Sequence, residues 1–290
     1  MTRIIEQLSD ISANYDAMFV DLWGCVHDGV RAIPSAVAAL QAYRQAGGRV
    51  VLVTNAPRPR AGVQEQIEKL GVPGDAWDSI ATSGDAARMA MFQGVVGSRV
   101  WFMGEHTDMG FFEPLKAVED PVLIERVELE EAEGIVCCGP FDRHAAPEAV
   151  RPELLLAQKK GLKLLCANPD IVVDRGETRE WCAGAVAELY TEIGGVSLYF
   201  GKPHPPIYDL ARRRLSELVA GVEKMPILAV GDGIATDIKG ALGEDIDSLF
   251  ITGGLARQET KTTDQPDPQA LERYLSEARI SPTFSIGTLR

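Results

Sequence analysis

The sequence predicts an α/β fold with a parallel sheet and a second α/β domain inserted into it. Short apolar runs alternate with helix-like segments along the chain, which is the pattern of βαβ units. This alternation forms one block near the start of the chain and another near its end, and a further stretch of alternating strands and helices lies between the two blocks. With 290 residues, 46% of them hydrophobic, the chain is long enough to bury a large core without disulfides.

The first block alternates strands and helices at short intervals. Pro34 stands in the first turn of a predicted helix and Gly47-Gly48 at its end, which are the usual start and stop signals. Right-handed connections place the carboxyl ends of such parallel strands along one edge of the sheet. The predicted elements are strand 17–22, helix 34–46, strand 49–54, helix 60–70 and strand 78–83.

The alternation resumes near the end of the chain. Its predicted elements are strand 196–200, helix 206–219, strand 225–230, a helix ending near 242, strand 248–252 and helix 269–278, with a polar surface loop at 260–268. Between the blocks lie predicted strands 99–103, 134–138 and 162–166 and helices 147–160 and 182–193. We therefore predict one domain of residues 1–83 and 196–290 and a second domain, 84–195, inserted into it.

Charge and cysteine content argue against several classes of protein. The 29 Lys and Arg against 42 Asp and Glu give a formal net charge of −13, which disfavours general affinity for nucleic acid or an anionic membrane. Five cysteines without C-x-x-C spacing disfavour a disulfide framework or a structural zinc site and favour a reducing cytoplasm. We see no signal peptide and no apolar run near the roughly 18 residues of a membrane helix.

Four polar clusters directly follow predicted strands, where an open parallel sheet forms its ligand crevice. They are Asp21–Gly29, Thr54-Asn55, Gly201–Pro203 and Gly231–Asp237. A carboxylate can attack phosphorus and form an aspartyl-phosphate, and Mg²⁺, which prefers oxygen ligands, can neutralise the two anions. A lysine and a hydroxyl can hold the remaining phosphate oxygens. The pattern of residues therefore indicates phosphoryl chemistry.

In this order, the four clusters resemble those of the haloacid dehalogenase (HAD) superfamily. The segments that carry the resemblance are Val53-Thr54-Asn55, Ala167-Asn168-Pro169-Asp170, Gly201-Lys202-Pro203 and Gly231-Asp232 with Thr236-Asp237. The insert between the second and third clusters is similar to the type C2 cap of the NagD-like, p-nitrophenyl phosphatase-like branch. The resemblance spans about residues 16–255 and implies a Rossmann-like core, a cap, and Mg²⁺-dependent hydrolysis of a small phosphomonoester through an aspartyl-phosphate.

The resemblance implies roles for the acidic residues of the core. Asp21 matches the nucleophile and a Mg²⁺ ligand, and Trp23 matches the position whose backbone carbonyl binds the metal. Asp232 matches the second carboxylate ligand, and Asp237 matches the carboxylate that supports the metal or its water. Taken alone, Asp232 could instead cap a helix and Asp237 could be an ordinary surface carboxylate.

It also implies roles for residues that bind phosphate or substrate. Thr54 matches the phosphate-binding hydroxyl, with Asn55 beside it, and Lys202 matches the lysine that steadies the nucleophile and the phosphate. Asn168 and Asp170 are candidates for substrate binding, and the alternative is that they form a turn in the cap.

One position departs from the family pattern. The first motif of the family usually reads Asp-x-Asp, and its second Asp serves as general acid and base, whereas this chain has Trp23 there. Since an indole cannot perform that transfer, we expect impaired or rerouted hydrolysis. Asp28 and His27, in the loop after Asp21, are the candidates to act as general acid and base instead, although Asp28-Gly29 is also a common turn signal.

Two other functions stay open at this point. A catalytically weak sensor of a phosphorylated ligand would explain Trp23, and a dehalogenase would also attack through an Asp but would not need Asp232 and Asp237. For an enzyme, the partner is a small phosphorylated metabolite, and a sugar phosphate, a nucleotide, phosphoglycolate and pyridoxal phosphate all suit a cap of this type. The resembled family also contains cap-mediated homodimers.

Overall fold

The computed structural model describes residues 2–115, 117–175 and 178–290. Its strands are β1 (Arg3–Ile4), β2 (Ala17–Val20), β3 (Arg49–Thr54), β4 (Ser79–Thr82), β5 (Arg99–Met103), β6 (Glu125–Arg126), β7 (Gly134–Cys137), β8 (Lys163–Cys166), β9 (Val172–Arg175), β10 (Thr178–Trp181), β11 (Val196–Tyr199), β12 (Ile227–Gly231), β13 (Asp247–Ile251) and β14 (Phe284–Ile286). Its α-helices are α1 (Pro34–Gln45), α2 (Arg60–Lys69), α3 (Ser83–Phe92), α4 (Arg151–Lys159), α5 (Ala183–Glu192), α6 (Pro205–Ser216), α7 (Lys239–Gly243) and α8 (Pro268–Ala278).

The chain divides into two compact units. The first contains Met1–Thr54, Gln64–Ala81 and Tyr208–Arg290, and the second contains Asn55–Val63 and Thr82–Ile207. Both are α/β structures with a mainly parallel sheet, as the alternation of strands and helices predicts. The assignment of these units as core and cap stays a prediction.

The first unit is built around a seven-stranded sheet with the order β1-β14-β13-β12-β2-β3-β4. Strand β2 lies between β12 and β3, and both pairings are parallel, with Val20 opposite Val230 and Leu52. Every residue of β2 and β12 is buried, which explains their continuous apolar sequence. Asp21 follows β2 and Asp232 follows β12, so the sheet places both residues at the carboxyl ends of neighbouring strands.

The second unit contains a parallel sheet with the order β11-β8-β7-β5-β6 and the antiparallel pair β9-β10. Successive residues of its central strands face opposite sides, as the pleat requires. Ile135 and Leu164 pack with residues of α4 and α5, whereas Val136 and Leu165 pack with residues of α3. This sheet therefore has an apolar core on both faces.

The placement of β11 differs from the sequence-based prediction. Residues 196–200 were expected to open the second half of the first domain, yet β11 pairs with β8 of the second unit along its whole length, from Val196 opposite Lys163 to Tyr199 opposite Cys166. A buried parallel strand is apolar in whichever sheet it joins, so the sequence of β11 does not show which strand it pairs with.

The segment 260–268 is a loop in which most residues are exposed, as predicted, but two of its threonine side chains are buried. Thr260 and Thr262 are buried, and their hydroxyl oxygens lie 2.8 Å apart. The Thr262 hydroxyl donates to Thr252 Oγ1 at 2.8 Å, which ties the segment to the end of β13. These two polar side chains are buried at little cost because their hydroxyl groups are hydrogen-bonded.

The predicted helix after β12 begins with a π-helical turn, Ile234–Ile238, and continues as α7. The sequence analysis did not predict β1, β6, β14, the β9-β10 pair or α3. Within the described residues, we find no helix whose length and apolar character would let it cross a membrane. The five cysteines are buried free thiols, and burial raises the pKa of Cys137 and Cys182 to about 12, so these two remain protonated at neutral pH.

Candidate active site

Two buried carboxylates meet at the carboxyl edge of the first unit's sheet. Asp21 and Asp232 are 8% and 4% exposed, and one ligand atom of each, together with Cys25 Sγ, lies within 4.8 Å of the others. Two buried carboxylates this close repel each other unless a cation or a proton intervenes. Oxygen donors of this kind suit a hard divalent ion, so the donor set fits the metal that the sequence predicts.

Backbone from two loops encloses Asp232. The amide of Leu255 donates to Asp232 Oδ2 at 3.0 Å. A Cβ at Gly24 would lie 2.8 Å from Asp232 Cγ, and one at Gly254 would lie 2.7 Å from Asp232 Cβ. Gly24 also has a φ of +77°, a conformation that L side chains rarely adopt. Glycine at both positions therefore lets the backbone approach the carboxylate closely.

Asp237 organises the loop that carries Asp232. Its Oδ2 accepts hydrogen bonds from the Gly233 amide at 3.0 Å and from the Thr236 hydroxyl at 3.4 Å, and the side chain is buried. These contacts fix the turn between β12 and the π-helical turn. Asp237 is outside the group formed by Asp21, Cys25 and Asp232, and its predicted support of a metal stays a prediction.

Trp23 packs within the loop that follows Asp21. Its ring lies edge-on to the His27 ring, with centroids 5.4 Å apart, and a Cβ at Gly29 would lie 2.5 Å from Trp23 Cζ2. Gly29 has a φ of +86°. The indole thus packs against the backbone and the imidazole of its own loop, and no carboxylate stands at its position.

His27 is a buried, neutral imidazole. It is 2% exposed, and its Nδ1 accepts a hydrogen bond from the Gly29 amide at 3.1 Å, which leaves the proton on Nε2. Burial lowers the pKa of His27 to about 4, despite the nearby charge of Asp28. At neutral pH the side chain therefore carries one proton and no charge.

Asp28 is an exposed turn residue. Its Oδ1 accepts hydrogen bonds from the amides of Val30 at 2.9 Å and Arg31 at 2.8 Å. The hydrogen bond from the Arg31 amide, followed by that from the Val30 amide, is the main cause that holds the pKa of Asp28 below its ordinary value. The carboxylate is therefore ionised at neutral pH. These contacts match the turn interpretation, and its part in proton transfer stays a prediction.

The second unit brings together four of the predicted phosphate- and substrate-binding residues. Asn55 and Lys202 are both buried, and the Asn55 amide contacts the backbone of Lys202 and the carboxylate of Asp170. Asn168 Oδ1 accepts a hydrogen bond from the Asp170 amide at 3.0 Å. Residues that are more than a hundred positions apart in the sequence thus form one polar cluster. Thr54, the last residue of β3, is also buried.

Sequence reasoning missed Cys25 as a neighbour of the two carboxylates. The only signal in the sequence is that Cys25 stands four residues after Asp21. This signal is weak, because the contact depends on the turn at Gly24, whose φ is positive. The roles of Gly254 and of the Leu255 amide were also missed, since a backbone donor leaves no mark in residue type.

Comparisons with known proteins identify the family of this chain. A family model described as haloacid dehalogenase-like hydrolase matches residues 18–117, and a second, described as HAD-hydrolase-like, matches residues 199–278. The structure is similar to that of a haloacid dehalogenase-like family hydrolase from Brucella suis 1330, with 38% identity, a TM-score of 0.85, and coverage of 99% of this chain and 100% of that one.

Two further proteins are similar at lower identity. The p-nitrophenyl phosphatase from Archaeoglobus fulgidus has 19% identity and a TM-score of 0.69, with 94% of this chain and 96% of that chain covered. The D-glycerol 3-phosphate phosphatase of Mycobacterium tuberculosis is 26% identical over 257 residues, which are 86% of this chain. The match spans 66% of the length of that curated relative.

Proposed function

Since this chain belongs to the haloacid dehalogenase-like hydrolases, we propose that it is a Mg²⁺-dependent phosphatase that hydrolyses a small phosphomonoester through an aspartyl-phosphate on Asp21. The observation that carries the proposal is the pair of buried carboxylates, Asp21 and Asp232, at the ends of neighbouring parallel strands and within 4.8 Å of each other. A buried pair of this kind fits a phosphate only if positive charge is present.

We assign the metal to the carboxylates of Asp21 and Asp232 and to the backbone carbonyl of Trp23. When bound, Mg²⁺ would offset the negative charge of the carboxylates and of the substrate phosphate. The thiol of Cys25 lies beside these groups but is a soft ligand that Mg²⁺ does not favour. The oxygen atoms of this donor set therefore suit Mg²⁺ better than a thiolate-seeking metal.

The reaction has two displacements at phosphorus. A carboxylate oxygen of Asp21 bonds to phosphorus while the bond from phosphorus to the ester oxygen breaks, and the ester oxygen leaves as an alcohol after it gains a proton. Water then bonds to phosphorus and loses a proton to solvent while the bond from phosphorus to the Asp21 oxygen breaks, which releases inorganic phosphate and restores the Asp21 carboxylate. The family resemblance assigns Lys202 and Thr54, with Asn55 beside Thr54, to the binding of the phosphate as charge shifts during each displacement.

Proton transfer to the leaving oxygen is the weak step of this mechanism. Trp23 supplies no carboxyl group, and Asp28 is already ionised at neutral pH. His27, with a pKa of about 4, is a neutral imidazole at neutral pH, and the N–H of a neutral imidazole is too weak an acid to protonate the leaving oxygen. A leaving group that departs as a stable anion needs no such proton. We therefore propose that this phosphatase favours phosphate esters of acidic alcohols and phenols.

A panel of esters tests the proposed function. Glycerol 3-phosphate, phosphoglycolate, sugar phosphates and p-nitrophenyl phosphate are assayed for released phosphate, with Mg²⁺ and with EDTA, and Asp21→Asn is the inactive control. We expect Mg²⁺-dependent turnover of at least one ester by the natural sequence only. Turnover that survives in Asp21→Asn, or none on any ester, contradicts the proposal.

A second function is favoured by one observation, the packing of Trp23 where the family usually has its acid/base Asp. In this alternative the protein binds a phosphorylated ligand and releases it unchanged. Beryllofluoride, which mimics a phosphoryl group on a carboxylate, would then bind with Mg²⁺ while the ester panel shows no turnover. A dehalogenase would instead release halide from a haloacid without Mg²⁺.

The remaining expectations are also proposals. We propose a small phosphorylated metabolite as the partner of this protein, with no nucleic acid or membrane partner. We also propose a cytoplasmic location, since the buried free cysteines suit a reducing compartment. A homodimer is proposed from the family resemblance, and sedimentation of the purified protein tests it.

A further inference from the structure

The side chain of Asn55 holds the backbone of Lys202 on both sides of its Cα. Asn55 Oδ1 accepts a hydrogen bond from the Lys202 amide at 2.7 Å, and Asn55 Nδ2 donates to the Lys202 carbonyl at 3.1 Å. One side-chain amide thus pairs with both polar groups of a single residue. Since all four atoms are buried in the second unit, this pairing restricts the backbone from which the lysine side chain starts.

Asp170 fixes the orientation of that amide. Asn55 Nδ2 also donates to Asp170 Oδ1 at 2.8 Å, so both of its N–H groups are engaged. If the amide rotated by 180°, Nδ2 would face the Lys202 amide, donor against donor, and Oδ1 would face the Asp170 carboxylate. The carboxylate therefore selects the one orientation in which Asn55 can hold Lys202.

Close packing keeps this cluster in place. A Cβ at Gly201 would lie 2.5 Å from Asn55 Oδ1, 2.6 Å from Pro169 Cδ and 2.6 Å from Ser83 Oγ. The Asp170 backbone is held as well, because its amide donates to Asn168 Oδ1 at 3.0 Å and its carbonyl accepts from the Gly184 amide at 3.1 Å. Gly201, directly before Lys202, and Asp170 thus have little room to shift.

We propose that Asp170 and Asn55 are positioning residues that act on catalysis through Lys202, with Asp170 acting through Asn55 and not through contact with the substrate. The inference rests on the proposed function, in which Lys202 holds the transferring phosphoryl group. The inference also assigns a role to the Asn-Pro-Asp segment of the second unit, for which the sequence alone left two interpretations open.

A double-variant comparison tests the path from Asp170 through Asn55. We expect Asp170→Ala to lower kcat about 10- to 30-fold and Asn55→Ala about 100-fold, with smaller changes in KM, because a displaced catalytic group chiefly affects the transition state. In Asn55→Ala, the further change Asp170→Ala should alter kcat by less than about threefold, since the path is already broken. A double variant more than tenfold below Asn55→Ala, or without activity, overturns the proposal.

Conservative and control variants separate positioning from loss of structure. Asp170→Asn keeps an oxygen that can accept from Asn55 Nδ2 and should retain kcat within about fivefold, whereas loss equal to that of Asp170→Ala contradicts the proposal. Asp142→Ala removes a comparable loop carboxylate, whose Oδ1 accepts from the His144 amide at 2.9 Å, and should leave kcat and KM unchanged.

A spectroscopic readout is independent of turnover. In the full-length protein without substrate, the two Asn55 side-chain N–H signals, identified by their absence in Asn55→Ala, should exchange slowly with solvent. Asp170→Ala should shift these signals and speed their exchange. Unchanged signals would contradict the proposed clamp, the hydrogen-bonded group of Asn55, Asp170 and Lys202. If the natural protein hydrolyses no ester, the proposed function fails, while these signals still decide whether Asp170 orients Asn55.

Discussion

At the scale of single residues, Trp23 is the change that most affects the proposed chemistry. The family resemblance matches residues of this chain to the nucleophile, the second carboxylate and the lysine. At the position that the resemblance gives to the acid/base carboxylate, the chain has Trp23, whose ring packs against Gly29 and His27. The consequence should appear in the choice of leaving group and not in the binding of metal.

Substitution of Trp23 by Asp should restore general acid catalysis. Because such catalysis contributes about 10² to 10⁴ in rate, we expect Trp23→Asp to raise kcat/KM on glycerol 3-phosphate at least about tenfold. The kcat/KM on p-nitrophenyl phosphate, which reports the first displacement and whose leaving group needs no proton, should change little. Trp23→Phe keeps an aromatic ring and adds no acid, so it is the control. An unchanged ratio of the two kcat/KM values in Trp23→Asp would count against a missing acid.

His27 should make the folded protein sensitive to mild acid. Its pKa of about 4 in the folded state lies below the ordinary 6.5, so below pH 6.5 the unfolded chain binds a proton that the folded chain does not. The free energy of unfolding should therefore fall as the pH drops from 6.5 towards 4, by about 3 kcal/mol at most.

Urea unfolding at pH 7 and at pH 4.5 measures this effect. In His27→Gln, which cannot take up the proton, the loss of stability between these two pH values should be smaller than in the natural protein. Equal losses in both proteins would show that other groups cause the acid sensitivity.

At the scale of elements, the loops after β2 and β13 matter as much as the strands. Both bring a glycine against Asp232, and the Leu255 amide donates to the same carboxylate. Neighbouring strands β2 and β12 bring the two carboxylates to one edge of the sheet, and these loops then determine how Asp232 is held.

A methyl group at Gly254 should displace Asp232. We expect Gly254→Ala to weaken Mg²⁺ activation and to lower kcat by about 100-fold, because catalytic groups tolerate little misplacement. The Mg²⁺ dependence of turnover measures both effects. Gly74→Ala is the matched control, since a Cβ there meets nothing within 4 Å and should leave both quantities unchanged. Equal behaviour of the two variants would contradict the steric argument.

At the scale of the whole molecule, metal binding should contribute to stability. The buried Asp21 and Asp232 carboxylates repel each other in the folded chain, and a bound cation removes that repulsion. Mg²⁺ at about a hundred times its Kd should stabilise the fold by about 2.7 kcal/mol, which raises Tm in a thermal scan.

The same scan on variants identifies the carboxylates responsible. Asp21→Asn and Asp232→Asn should each abolish most of the Mg²⁺-dependent rise in Tm. Asp75→Asn, at an exposed position of the same unit, should keep it. A full rise in Asp232→Asn would place the ion elsewhere.

The order of elements and the positions of the candidate residues could be read from the sequence alone. Apolar runs such as 49–54 and 99–103 became β3 and β5 with the predicted bounds, because a strand buried on both faces needs an uninterrupted apolar segment. Asp21 and Asp232 follow such runs, so parallel topology predicted that both lie at one edge of the sheet, and the family resemblance predicted that they share a metal ion.

Other features depended on contacts between residues distant in the chain. The sheet that β11 joins, the two-residue strand β1 beside β14, the burial of Thr260 and the approach of Cys25 to Asp232 leave no periodic pattern. The clamp of Asn55, Asp170 and Lys202 likewise links three segments through hydrogen bonds across 115 and 147 positions. Local composition therefore determined which segments are strands and which residues end them, while long-range packing and hydrogen bonding decided what each of them contacts.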